Sequence, residues 1–223
     1  MSSLTETEHT RLQFQIDRIA FFSDAVIAIA LTLMVLEIKI PEMGEKTSFQ
    51  QVLNQYGVTL TLHILALLVG FLTIGNLWIQ HHALFEHIIN YNNALVRINL
   101  YFLLTVMLLP ISISFFFTGN EPHQMQRVVY FMNLFLCSFT YSLMLLVIFN
   151  KKNHFYNIRD KQKIRDIKNN SYLGTIVFFI VVVLVSFDVS AFYLAFLLIP
   201  VYEIIRRRKR KKLQAKKAIA NKE

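Results

Sequence analysis

The sequence predicts an all-α integral membrane protein that crosses the bilayer six times, with both termini on the cytoplasmic side. Three observations predict it: a surplus of apolar residues, the length of the apolar runs, and the placement of basic residues between them. Hydrophobic residues make up 55% of the chain, against roughly 45–50% in an ordinary soluble domain, and the mean hydropathy is +0.45. The 20 Phe and 9 Tyr lie in long runs with few charges. That is the pattern of successive lipid-crossing helices, not of one enlarged core.

Four stretches, about residues 16–40, 57–81, 96–118 and 127–149, each supply the ~20 apolar residues that a ~30 Å hydrocarbon core requires. From Ser171 to Ile205 the chain is one apolar block, interrupted only at Phe187-Asp188-Val189-Ser190. As a single helix it would measure ~52 Å at ~1.5 Å per residue, far longer than the bilayer. It therefore reads as a hairpin of two short spans, about 171–187 and 189–205.

Charge placement gives the same parity independently. The segment joining spans four and five carries Lys151, Lys152, Arg159, Lys161, Lys163, Arg165 and Lys168, and a second basic stretch begins Arg206-Arg207-Arg208-Lys209-Arg210. Cytoplasmic segments carry the excess of Lys and Arg, so an even number of spans must separate the two. With the amino terminus also inside, only Lys39, Lys46 and Arg127 of the 23 Lys and Arg fall outside. The layout is a cytoplasmic amino terminus (1–15), one transmembrane domain (16–206) and a basic cytoplasmic tail (207–223).

The same placement argues against a nucleic-acid partner despite the formal charge of +9, because the basic residues flank spans and do not gather on a folded surface. The tail reads first as an orientation signal, with contact to anionic headgroups as a second use. Residues 1–17 lack a basic segment leading into an apolar stretch, so no cleaved signal peptide is expected. Cys137 is the sole cysteine, which leaves no disulfide framework and no cysteine metal site.

Span one carries the most chemistry. Asp24 lies about six residues, ~9 Å, inside its cytoplasmic end. A carboxylate at a helix centre costs ~2.5–3.5 kcal/mol on insertion scales, so Asp24 should face protein or water and have a partner. At 100° per residue, Phe22, Val26, Ile29, Leu33 and Leu36 form one apolar stripe, and Asp24 points about 140° away from Ile29. On periodicity alone such a stripe faces lipid or core more often than a pore. Thr32 sits at its edge, and Ala25, Ala28 and Ala30 permit close helix approach.

A second polar group ends span two: Asn76, Trp78, His81, His82, Glu86 and His87. His82 and Glu86 have i, i+4 spacing, but no third acidic or sulfur ligand is near, so a metal site is not expected. The shared cytoplasmic ends of spans one and two suggest instead that Asp24 and Ser23 meet His81 or His82 in a buried polar network. In span three, Asn99 predicts an interhelical hydrogen bond and Pro110 a kink, while His63 and Asn133 read as satisfied polar residues. No phosphate loop, nucleophile elbow or zinc-protease helix occurs, so enzyme chemistry is not expected.

Arg18-x-x-x-Phe22-Ser23-Asp24, followed by Ala-Val-Ile-Ala-Ile-Ala-Leu-Thr-Leu, resembles the signature of the transmembrane protein 175 family of potassium channels. Trp78-x-x-His81-His82 resembles its second shared element. The likeness covers one six-helix repeat, about residues 12–206, as in bacterial members. It implies a homotetramer in the cell's inner membrane whose first helices surround a central pore, with potassium as the permeant ion and no cofactor. It places Ile29 at the constriction, with Leu33 and Leu36 one and two turns above, and Thr32 in a hydroxyl layer associated with potassium preference. Arg18, Ser23 and Asp24 would hold the first helix through His81 and its neighbours, outside the ion path. No Thr-Val-Gly-Tyr-Gly filter occurs, so dewetting and ion hydration would discriminate weakly. The alternatives are a proton-coupled transporter or proton pathway using Asp24 and His81, and a membrane scaffold that moves nothing.

Overall fold

A computed structural model describes residues 6–36, 49–118, 123–150, 152–157 and 161–187. They form six helices in chain order: α1 (Glu6–Leu36), α2 (Phe49–Phe85), α3 (Asn93–Met107), α4 (Leu109–Phe116), α5 (Gln124–Ile148) and α6 (Lys161–Phe187). Among the described residues the β-type pairing is confined to one bridge, between Ile88 and Tyr156. The fold is all-helical.

Helices α3 and α4 are one crossing with a break. Asn92 caps α3, its side chain accepting from the Leu95 N–H at 2.9 Å, which satisfies one of the orphan donors of the first turn. Pro110 has no N–H to continue the ladder, and the chain turns at Leu108 just before it. Counting the pair as one, five segments are long and apolar enough to cross a membrane: Thr10–Leu36, Tyr56–Phe85, Asn93–Phe116, Gln124–Ile148 and Lys161–Phe187. The sixth expected span, 189–205, its hairpin turn and the basic tail lie outside the described residues.

Several helices run past the ends that hydropathy suggests. Helix α6 begins at Lys161, ten residues before the apolar block starts at Ser171. Backbone hydrogen bonding does not stop where lipid stops, and Lys, Gln and Arg are good helix formers in water.

Helix α1 packs on α2 and α3 and, further along, on α4, while α5 lies between α3, α4 and α6. The interior divides into two apolar clusters. One holds Ile27, Ala30, Met34, Ile74, Phe102, Val106, Leu109 and Ile113; the other holds Ile16, Leu84, Phe85, Ile88, Leu95, Met144, Ile148 and Phe155. Gly70 lets α2 approach α1: a Cβ there would collide with Met34 Cε and lie 2.7 Å from Met34 Sδ.

The second cluster marks one end of the bundle. There the Ile89 N–H donates to the Phe155 carbonyl at 2.9 Å and the Asn157 N–H to the His87 carbonyl at 3.0 Å. These bonds tie the α2–α3 connection to the α5–α6 connection. Arg11, Arg18, Arg97, Lys152, Lys161, Lys163, Arg165 and Lys168 all belong to segments that meet at this end. Arg127, near the start of α5, is the only described Lys or Arg at the other end. Among the described residues the basic side chains thus gather at one end of the bundle.

Helices α5 and α6 are joined by hydroxyls. Ser142 Oγ lies 2.6 Å from Ser171 Oγ and 2.8 Å from Thr175 Oγ1, and Thr175 lies 3.0 Å from Ser138 Oγ. Serine and threonine bonding across helices fixes their register where apolar packing alone would let them slide.

Candidate functional site

The two faces of α1 differ in kind. Ile16, Ser23, Ile27, Ala30 and Met34 are buried and recur at helical spacing, so one continuous stripe binds α1 to its neighbours. On the other side Ile29 is 54% exposed, Leu33 36% and Leu36 76%. Thr32 is also exposed, and its hydroxyl donates to the Ile29 carbonyl at 2.8 Å. Val26, earlier on the same stripe, is half-buried against the first cluster.

The buried stripe is anchored by polar atoms between the two apolar clusters. Along α1 Ser23 falls between Ile16 and Ile27, along α2 His81 falls between Ile74 and Leu84, and along α3 Asn99 falls between Leu95 and Phe102. Ser23 Oγ donates to the Ile19 carbonyl at 2.8 Å and accepts from Asn99 Nδ2 at 2.8 Å. The Asn99 amide oxygen then faces His81 Nε2 at 2.8 Å. Because the Ser23 proton is committed to Ile19, the asparagine must present its NH2 to the serine and its oxygen to the histidine. His81 therefore carries a proton on Nε2 and donates. Its ring is stacked between Phe85, with centroids 4.3 Å apart, and Phe102, at 5.4 Å. Three helices are bonded together through groups that are at most 1% exposed. A half-satisfied network at this depth would cost more than an apolar one, so its completeness makes it an anchor.

Asp24 is held separately. Trp78 Nε1–H donates to Asp24 Oδ1 at 2.8 Å, which links α1 to α2 one residue past Ser23. The carboxylate is half-buried, and Trp78 lies 5.5 Å, ring to ring, from His82. Ser23 and His81 thus communicate through Asn99, and Asp24 pairs with Trp78. His82 is exposed outside the hydrogen-bonded set, as is Arg18, which borders a cleft of about 390 Å³ between α1 and α3. Asn99 was expected to make an interhelical bond; its place as the bridge between two signature elements was not expected.

Elsewhere Asn133 Nδ2 donates to Ser112 Oγ at 3.0 Å, as its position in an apolar helix suggests. His63 differs from the expectation, since its buried Nδ1 has no hydrogen-bond partner among the described residues. Among the described residues no three His, Cys, Asp or Glu side chains converge as a metal site; His82 and Glu86 are both exposed. Among the described residues the geometry offers no reacting centre. What it offers is a helix fastened along one side, with an aliphatic ladder and one hydroxyl on the other.

Residues 18–110 match the family described as the endosomal/lysosomal potassium channel TMEM175. A potassium channel of Chryseobacterium sp. (strain P1-3) is 29% identical over 170 residues, which cover 76% of this chain and 82% of that protein. The endosomal/lysosomal proton channel TMEM175 of Gallus gallus is 35% identical over 104 residues, 43% of this chain and 20% of that one. The crystal structure of a lysosomal potassium-selective channel TMEM175 homolog from Chamaesiphon minutus aligns with a TM-score of 0.68 at 22% identity. That alignment covers 86% of this chain and 98% of that one, a likeness of fold.

Proposed function

We propose that this chain, whose residues 18–110 match the TMEM175 family of ion channels, is a member of that family and a potassium-preferring cation channel of the plasma membrane. Four copies surround a central axis, with both termini cytoplasmic. The exposed face of α1 lines the conduit: Ile29 forms the narrowest ring, Leu33 and Leu36 extend it, and Thr32 adds a hydroxyl layer. The observation that carries this reading is the two-faced α1, with polar fasteners on one side and an unpartnered aliphatic ladder on the other. Ser23, Asn99, His81, Trp78 and Asp24 keep the ladder in register without touching ions.

A ring of aliphatic side chains closes to ions when too narrow to hold water, and passes an ion that keeps part of its hydration shell when wider. Potassium sheds water more readily than sodium, so such a ring favours it modestly, by about one to two orders of magnitude or ~1.4–2.7 kcal/mol. Purified protein in liposomes under bi-ionic conditions tests this. Reversal potentials should favour potassium within that range, and equal permeability for the two ions, or no flux, would count against the reading.

A second reading, a proton pathway through Asp24 and His81, draws support from the printed name of the chicken relative. Against it, both side chains are engaged within the α1–α2–α3 seam, Asp24 with Trp78 and His81 with Asn99. Currents that follow the potassium gradient at fixed pH separate the two.

A further inference from the structure

Away from α1, at the basic end of the bundle, a cleft of about 740 Å³ opens between the start of α3, the end of α5 and the early part of α6. We propose that it seats the headgroup of an anionic glycerophospholipid, whose acyl chains run down the outer face of α5.

The lining changes character with depth. Leu146, half exposed, and Val147 form the wall nearest the lipid. Past Ile148, where α5 ends, the wall becomes polar, with Asn150, Asn153, Lys152 and Lys168. Lys168 lies over the Phe149 ring, its Nζ 5.6 Å from the centroid, a contact that favours placing its charge beside the cleft. Across from it stand Asn92 and Ala94 at the start of α3. The first N–H groups of a fifteen-residue helix add partial positive charge there. Among the described residues no acidic side chain lines the cleft.

An aliphatic wall below two ammonium groups and several amide donors, at the level where a spanning helix ends, matches the order of an anionic phospholipid read from chains to phosphate. A soluble phosphate would have no use for Leu146 and Val147. Basic pockets between helices on the cytoplasmic side favour such headgroups, with about fivefold in affinity for each Lys near the surface. The inference requires only that the bundle sits in a bilayer, so its failure leaves the ion-path reading untouched.

Native mass spectrometry of the detergent-solubilised full chain, titrated with phosphatidylglycerol or phosphatidylcholine, tests it. The wild type should retain phosphatidylglycerol at least about tenfold more tightly. Lys152→Gln should weaken retention about fivefold, and Lys152→Gln with Lys168→Gln about 25-fold. Arg165→Gln, outside the cleft, should leave it unchanged. Lys152 is exposed, so the single variant keeps the test decisive if the double variant fails to fold. Equal retention of the two lipids, wild-type retention by the lysine variants or an equal loss in Arg165→Gln would overturn the proposal. So would displacement by glycerol phosphate at matched concentration, or cross-linking that finds a second copy covering the cleft.

Discussion

Replacing Asn99 with alanine removes two hydrogen bonds at once, one to Ser23 Oγ and one from His81 Nε2, both 2.8 Å long. Interhelical bonds in membranes average ~0.6 kcal/mol each, so the pair contributes about 1.2 kcal/mol. Ser23 keeps its bond to the Ile19 carbonyl. His81 has no such recourse: its ring is 1% exposed, and a buried donor left without an acceptor costs about 1–3 kcal/mol. The sum is about 2–4 kcal/mol, equivalent to roughly 4–16 °C in melting temperature for a chain of this size. Thermal melting of the purified protein, followed by size-exclusion retention in detergent, reads this shift. A cycle with Ser23→Ala sharpens it, because the double variant should lose about 0.6 kcal/mol less than the two singles added together. Melting of Asn99→Ala within 2 °C of wild type, or strict additivity in the cycle, would refute the claim that Asn99 bridges the two helices.

Other perturbations separate fastening from conduction. Asp24→Asn keeps an amide oxygen for the Trp78 N–H and should melt within about 1 kcal/mol of wild type, whereas Asp24→Ala and Trp78→Phe, which break the bond, should cost about 0.5–1.5 kcal/mol; equal melting for all three would place the stabilisation elsewhere. Gly70→Val drives a side chain into Met34 and should destabilise by about 1–3 kcal/mol, with part of the loss recovered by adding Met34→Ala in the same melt. Ile29→Asn puts a polar ring at the constriction and should raise liposome leak for potassium and sodium alike; unchanged flux would move the constriction to another residue.

The five spans among the described residues were legible because lipid imposes a crude demand on composition, namely about twenty apolar residues with few charges. The α3–α4 break was legible too, since Pro110 has no N–H. Other features depended on partners that no single segment reveals. Asn99 stands out as polar in an apolar run, yet only the packing of α1, α2 and α3 makes it the link between Ser23 and His81. Asp24 called for a partner, and of the polar residues closing span two it took the indole of Trp78, not an imidazole. The hydroxyls joining α5 to α6 leave a trace in the sequence, since Ser138 and Ser142 are four apart and so are Ser171 and Thr175. Such spacing puts each pair on one helix face. The direction of the α1 ladder is the remaining case, because Ile29, Leu33 and Leu36 have the same pattern whether they meet acyl chains or water.

That direction is measurable with thiol chemistry, because the chain's single native cysteine, Cys137, is buried at 1% exposure. A membrane-impermeant cationic thiosulfonate, applied to liposomes carrying Ile29→Cys, should label the new thiol and block potassium flux. It should leave wild type and Leu72→Cys, an exposed α2 position, conducting and unlabelled. Labelling of Leu72→Cys with Ile29→Cys inert would turn the ladder of α1 toward lipid and remove it from the ion path.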